Sequence, residues 1–368
     1  MKRSLPLSVV AMAVVAVLLP ACKPGGGTSG DPSKPLVAFI SNNEHEFWTI
    51  AQRGAEAAGA EFNVRVEFKK PSGGGSSEQQ RRFIEDLRAK GCRAIAISPN
   101  DSANQAGYFK EVNSQLPLLA VDNDIPDVAA RRCYLGTDNV AAGRAVGKIL
   151  KQAMPNGGTF MIFVGRLDSQ NAVERRKGVV IELAGGEDNC KGEIAQMDSG
   201  KYPVTFGKYQ LLDTRTDGGQ DEICRAKADD ALTKGTPPDC MVGLWAYNPP
   251  KMLEAYKAAK DKIKKSVVLI GFDENKETLQ GIKDDFIAAT VVQDPYLFGY
   301  ESVKIMAQMV DPAKTGTALT RKDINAQQQI FVPHRIINKD GKHQPMYQDE
   351  KVEAVDPFWD TLRKRTGG

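Results

Sequence analysis

Short apolar runs alternate with stretches of helical periodicity along this chain, and that alternation constrains the fold more than any other feature. The runs cover 36–40, 64–68, 94–97, 118–121, 134–136, 159–164, 210–212, 241–244, 267–271 and 288–292. Helical patterns fall at 50–62, 77–90, 103–114, 140–153, 171–183, 221–234, 250–260 and 295–309. A short apolar run bounded by polar residues reads as a strand buried on both faces, and strands alternating with helices build a parallel sheet with helices on both sides. So many strands, in a chain of 368 residues, exceed one small core. The sequence therefore predicts an α/β chain of two doubly wound parallel-sheet lobes. Residues 327–338 look like a strand with no helix after it, as expected for a segment crossing between lobes in a multi-strand hinge. The expected division is 35–138 plus 294–328 for an N-lobe and 139–293 plus 329–368 for a C-lobe. A short helix is expected around Pro357–Trp359, and a flexible surface loop at 72–77.

The first residues read as an export signal. Lys2 and Arg3 precede an apolar stretch, 5–19, that is short for a membrane span. Residues 1–21 are expected to be a lipoprotein signal peptide, because Leu19-Pro-Ala-Cys22 resembles the lipobox in which the cysteine is lipidated; a plain signal peptide is the alternative. Residues 22–34, rich in Gly, Ser and Pro, would be a flexible tether. Five cysteines follow: Cys92, Cys133, Cys190, Cys224 and Cys240. Export permits disulfides, so Cys224 is expected to pair with Cys240 or Cys190, the alternative being that all five stay reduced. With three histidines and no CxxC, neither a metal site nor a cofactor is expected. A formal net charge of +3, without a basic stripe, argues against nucleic acid.

In open parallel sheets, ligands sit beyond the carboxyl ends of the strands. There the sequence places Ser41, His45, Phe47 and Trp48 after the first run, Ser98 after the third and Asp122-Asn123 after the fourth. Arg175 lies one helical turn into the element after the sixth. Asn248, Asp273 and Gln293 end later runs. Phe47 and Trp48 are expected in a polar loop ahead of a helix. Two carboxylates, amides, an arginine and paired aromatics fit a sugar box: rings stack on the C–H face while polar groups take hydroxyls. Other readings stay open at this point. Asp273 and Asn248 suit helix caps, Asp122 an Asx turn, Arg175 a solvated helix face, Ser41 a strand end, and the aromatic pair a plug against the core. Gln293 differs, because Asp294-Pro295 already supplies a cap and first position. No GxGxxG, phosphate loop or GxSxG motif stands where a dinucleotide site, nucleotide site or hydrolase would need it.

Val242-Gly-Leu-Trp-Ala-Tyr-Asn248, Gly271-Phe-Asp273, Thr290-Val-Val-Gln-Asp-Pro295 and Gly136-Thr-Asp-Asn139 with Gly143 together resemble the periplasmic sugar-binding proteins of the ribose-binding type, receptors for ABC importers. The resemblance runs over about residues 35 to 335. It implies a type I periplasmic binding fold and no enzymatic activity, with ligand contacts at Ser41, Phe47, Trp48, Asp122, Arg175, Asn248, Asp273 and Gln293, and Thr137 near the first crossing. His45, Ser98 and Asn123 stand where ribose receptors carry Asn, Asn and Arg. The third, C-lobe aromatic of those receptors has no counterpart near 212–216. The expected partners are a monosaccharide or similar polyol, an importer permease and a membrane through the lipid on Cys22, with the chain a monomer. A sensor feeding a chemoreceptor or kinase, or an exported sugar-processing enzyme, is the alternative.

Overall fold

The computed structural model describes residues 31–311 and 324–367. The chain begins with β1 (Leu36–Ile40), α1 (Glu46–Glu61), β2 (Arg65–Lys69), α2 (Ser77–Ala89), β3 (Ala94–Ile97), α3 (Ala106–Gln115), β4 (Leu118–Val121) and β5 (Cys133–Gly136). These strands are all parallel, in the order β5-β4-β3-β1-β2. β1 shows why its sequence is apolar throughout. Val37 and Phe39 join a core with Ala51 and Ala55 of α1, while Leu36, Ala38 and Ile40 join another with Ile84 and Leu87 of α2 and Phe109 of α3. Alternate side chains of one strand thus enter two different cores.

The chain then leaves for a second lobe through α4 (Asn139–Ala153), β6 (Gly158–Val164), α5 (Gln170–Ala184), α6 (Lys191–Asp198), β7 (Val204–Phe206), β8 (Tyr209–Thr216), α7 (Asp221–Thr233), β9 (Cys240–Gly243), α8 (Asn248–Ala259), β10 (Val268–Phe272), α9 (Lys276–Lys283) and β11 (Ile287–Val292). It returns as α10 (Pro295–Val310), which packs on α1 and β3, and as β12 (Gln329–Phe331). It crosses a third time into β13 (Arg335–Asn338), β14 (Val352–Ala354) and α11 (Val355–Thr366). The second sheet runs β14-β13-β11-β10-β9-β6-β8-β7.

Two α/β lobes joined by three crossings match the fold predicted from the sequence. Several particulars differ. The N-lobe does not end at 328, because β12 pairs in parallel with β5 and so belongs to the first sheet. The second sheet is mixed: β7 is antiparallel to β8, and β13 to β11. The 210–212 run lies in the first half of an eight-residue strand. α1 begins at Glu46, so Phe47 and Trp48 occupy its first turn rather than a loop. The signal for that start is faint, since His45 at the cap makes no side-chain hydrogen bond. Cys190, Cys224 and Cys240 are buried thiols, not a bridged pair. The signal peptide, Cys22 and the tether up to residue 30 lie outside the described residues. Among the described residues, no helix is long and apolar enough to cross a membrane, and no cluster of metal-ligating side chains occurs.

Candidate functional site

The carboxyl ends of both sheets face each other across a cavity of about 40 Å³, more than the roughly 10–15 Å³ that one ordered water needs. From the N-lobe it is lined by Asn42, Asn43, His45, Phe47, Trp48 and Asp122; from the C-lobe by Asn171, Arg175, Trp245, Ala246, Tyr247 and Asp273. Six of these residues were indicated by the sequence. The rest were not.

The aromatic pair packs against the core and also lines the cavity. Phe47 and Trp48 are 8% and 2% exposed, meet edge to face at 4.9 Å between centroids, and pack in the core with Phe39 and Phe298. They also form the N-lobe wall of the cavity. Trp48 is fixed in rotation, because its Nε1–H donates to Asn42 Oδ1 at 2.8 Å. Opposite stand Trp245 and Tyr247, on the turn between β9 and α8. They supply the C-lobe aromatic surface that the sequence lacked at 212–216. His45 reaches across from the N-lobe and stacks on Tyr247 at 4.5 Å, with its Nδ1 3.7 Å from Asp221 Oδ1.

Arg175 organises the polar floor. The close packing of α4 on α5 places it: a Cβ on Gly143 would lie 2.1 Å from the Arg175 carbonyl oxygen, so only glycine lets the helices approach this far. Its guanidinium donates to Asn139 Oδ1, to the Leu244 carbonyl and to Gln293 Oε1, each at 2.9 Å, and lies 3.4 Å from Asp122 Oδ1. It also covers the Phe272 ring at 4.1 Å. Gln293 passes the contact on, its Nε2–H donating to Asp273 Oδ1 at 2.7 Å. Asp122 Oδ2 accepts from Ser98 Oγ–H at 3.2 Å and from Asn171 Nδ2–H of the other lobe at 3.1 Å.

Both carboxyls are costly here. Burial raises the pKa of Asp122 above the ordinary aspartate value despite the charge of Arg175 and three hydrogen bonds. Burial raises Asp273 likewise, with Arg175 and Gln293 offsetting only part of it. Asp122 and Asp273 also have left-handed backbones, φ 63° and 68°, a conformation that non-glycine residues hold only where the surroundings enforce it. Asn171 Oδ1 and Trp245 Nε1 line the cavity, buried and without a partner among the described residues. Such groups favour a ligand that brings both donors and acceptors.

The remaining predicted residues stand behind the wall. Ser41 Oγ–H donates to the Asn43 carbonyl at 2.6 Å. Asn123 joins the lobes, accepting from the Asn171 backbone N–H at 3.0 Å. Thr137 is buried with its hydroxyl unpartnered. Asn248 and Gln293 are almost fully buried and bonded within the protein. Neither capping alternative holds: Asn275 rather than Asp273 caps α9, and Asn248 is the first residue of α8, after a cap position at Tyr247.

The fold agrees with that of similar proteins. The model of the periplasmic binding protein domain matches residues 37–315. The ribose import binding protein RbsB of Bacillus subtilis is 24% identical over 263 residues, covering 71% of this chain and 76% of its own length. The xylitol-binding protein of Mycolicibacterium smegmatis is 23% identical over 364 residues, 95% of each chain. Among solved structures, a solute-binding protein of an ABC transporter from Burkholderia graminis, in complex with D-arabinose, superposes with a TM-score of 0.70 at 21% identity, over 84% of this chain and 97% of that one. The Caulobacter myo-inositol binding protein gives 0.69 at 22% identity, over 86% and 97%. With both lobes covered and the carboxyl ends of their strands facing a shared cavity, the chain belongs to the periplasmic binding protein domain family.

Proposed function

We propose that this chain is an exported, lipid-anchored receptor that binds a neutral monosaccharide or polyol between its lobes and delivers it to the permease of an ABC importer. The observation that carries the reading is the cavity itself: aromatic walls from both lobes around a floor of two buried carboxyls and one fully engaged arginine. Rings of that kind suit the C–H face of a sugar, and carboxylates suit its hydroxyls. The names of the relatives point the same way, since they bind ribose or xylitol. In this reading His45, Phe47, Trp48, Asp122, Arg175 and Asp273 touch the ligand, joined by Asn42, Asn43, Asn171, Trp245 and Tyr247. Ser41, Ser98, Asn123, Thr137, Asn248 and Gln293 hold those residues in place.

Calorimetric titration with aldopentoses, aldohexoses, pentitols and inositol tests this directly. At least one should bind. Trp48→Ala, checked for an intact unfolding transition, should weaken that binding by about tenfold or more, the equivalent of about 1.4 kcal/mol. No binding across the panel, or equal binding by the variant, would overturn the assignment. The anchor is tested in the same preparation: Cys22→Ser should move the protein from the membrane fraction to the soluble one.

A further inference from the structure

The loop after β8 holds a carboxylate that no sequence motif singles out. Asp217 is 3% exposed and lies outside the cavity lining. Its Oδ1 accepts from the Tyr247 hydroxyl and from the Gly219 backbone N–H, and its Oδ2 from Asn248 Nδ2–H at 3.1 Å. Asn248 spends its remaining groups inside the protein too: Nδ2–H reaches Cys224 Sγ at 3.4 Å, and Oδ1 accepts from the Trp245 backbone N–H at 2.9 Å. One carboxylate therefore fixes the Tyr247 ring directly and Trp245 at one remove. Asn248 is 0% exposed with its amide consumed, so it does not present that amide to the cavity.

We propose that Asp217 is a positioning residue for ligand selectivity. It pins Tyr247 and Asn248 so that the C-lobe wall meets the ligand with aromatic surface, and it holds the Tyr247 face on which His45 of the other lobe stacks. This wall then discriminates by shape and C–H contact rather than by an amide reading a hydroxyl. The inference rests on the reading of the cavity as a sugar site. The chemistry is specific to a carboxylate, because Tyr247, Asn248 and Gly219 all donate, and only an acceptor on both oxygens satisfies them. Asp217→Asn keeps the volume but turns one of those acceptors into a donor facing a donor.

The test uses the sugar that binds best in the panel and an epimer of it, with wild type, D217N, Y247F and the double variant. D217N should weaken the better sugar by about tenfold and narrow its preference over the epimer. In the Y247F background the same substitution should cost less than about threefold, because the direct route through Tyr247 is already cut and only the indirect one through Asn248 remains. Additive losses, or D217N affinity within about twofold of wild type, would overturn the proposal. Should wild type bind no sugar, the receptor reading falls by itself, and Asp217 is decided in the ligand-free protein. The near-ultraviolet circular dichroism of Trp245 and Tyr247, defined by difference against W245F and Y247F, collapses in D217N if Asp217 orders the wall. It persists if Asp217 does not.

Discussion

Arg175 illustrates how much of a binding site a single residue can organise and how little of that shows in a sequence. Read alone, it is a charged residue on a helix. In the structure it is 1% exposed, and its guanidinium links Asn139, Leu244, Gln293 and Asp122, drawing together two of the three crossings and both lobes. Removing a partner from such a buried pair leaves a charge without compensation, which costs about 3–5 kcal/mol. Arg175→Ala should lose about that much in urea unfolding of the free protein. Arg175→Lys should keep the fold better yet still fail to bind sugar, because an ammonium cannot span the same acceptors. Agreement between the two variants in binding, with divergence in stability, separates the floor's role from the fold's. The strand-end positions that the sequence marked did include the carboxyls and the N-lobe rings. Asn42, Asn43, Asn171, Trp245 and Tyr247 escaped because facing the cavity depends on how a turn rotates once the lobes meet. Asn248 shows the reverse. Its amide is diverted by Asp217, a contact 31 residues away that no local pattern announces.

At the scale of elements, the long buried strands were legible because two-sided burial writes itself as a continuous apolar run. The short elements β7, α6 and α9 were not, since three to eight residues carry too little periodicity to separate from a loop. The loop at 72–77 is expected as a flexible surface loop; in the structure Gly73, Gly74 and Gly75 all have positive φ, and Gly75 is buried. Arg166 of the C-lobe donates from Nη2 to the Gly74 and Gly75 carbonyls at 2.8 Å each, and lies 3.3 Å from that of Gly218. A Cβ on Gly74 would stand 3.2 Å from the Gly218 carbonyl oxygen, and one on Gly219 3.3 Å from that of Gly74. Two glycine turns from opposite lobes thus dock backbone to backbone, with an arginine across the seam. A hydrogen bond to a charged donor contributes about 1.5–3 kcal/mol, and this one spans the two lobes. Arg166→Ala should therefore raise the dissociation rate of bound sugar by about tenfold, with little change in association rate, in stopped-flow measurements of Trp fluorescence. An unchanged dissociation rate would remove the seam from any role in retention.

For the whole molecule, closure and charge are linked. The interlobe cavity buries Asp122 and Asp273 together, and burial raises both pKa values, most clearly for Asp273. The groups facing them are Arg175, Gln293, Ser98 and Asn171, and Asp273 also adjoins the buried Glu274, whose pKa burial and the Asp273 charge raise as well. A carboxyl with a raised pKa in the closed form supports that form fully below its ordinary value of 3.8, and the support is lost as pH rises through the raised value. Acidification should therefore favour closure of the free protein. A sugar hydroxyl donating to the same oxygens stabilises the ionised form instead, so a bound ligand should flatten the dependence. Small-angle scattering at about pH 5 and pH 8 reads both arms. The free protein should have the smaller radius of gyration at the lower pH, and the sugar-bound protein should be equally compact at both. Asp273→Asn, which cannot titrate, should reduce the difference in the free protein. A variant as pH-sensitive as wild type would assign the effect to other groups, the buried Glu274 first. A free protein equally compact at both pH values would mean that the hinge, rather than the buried carboxyls, sets the resting position of the lobes.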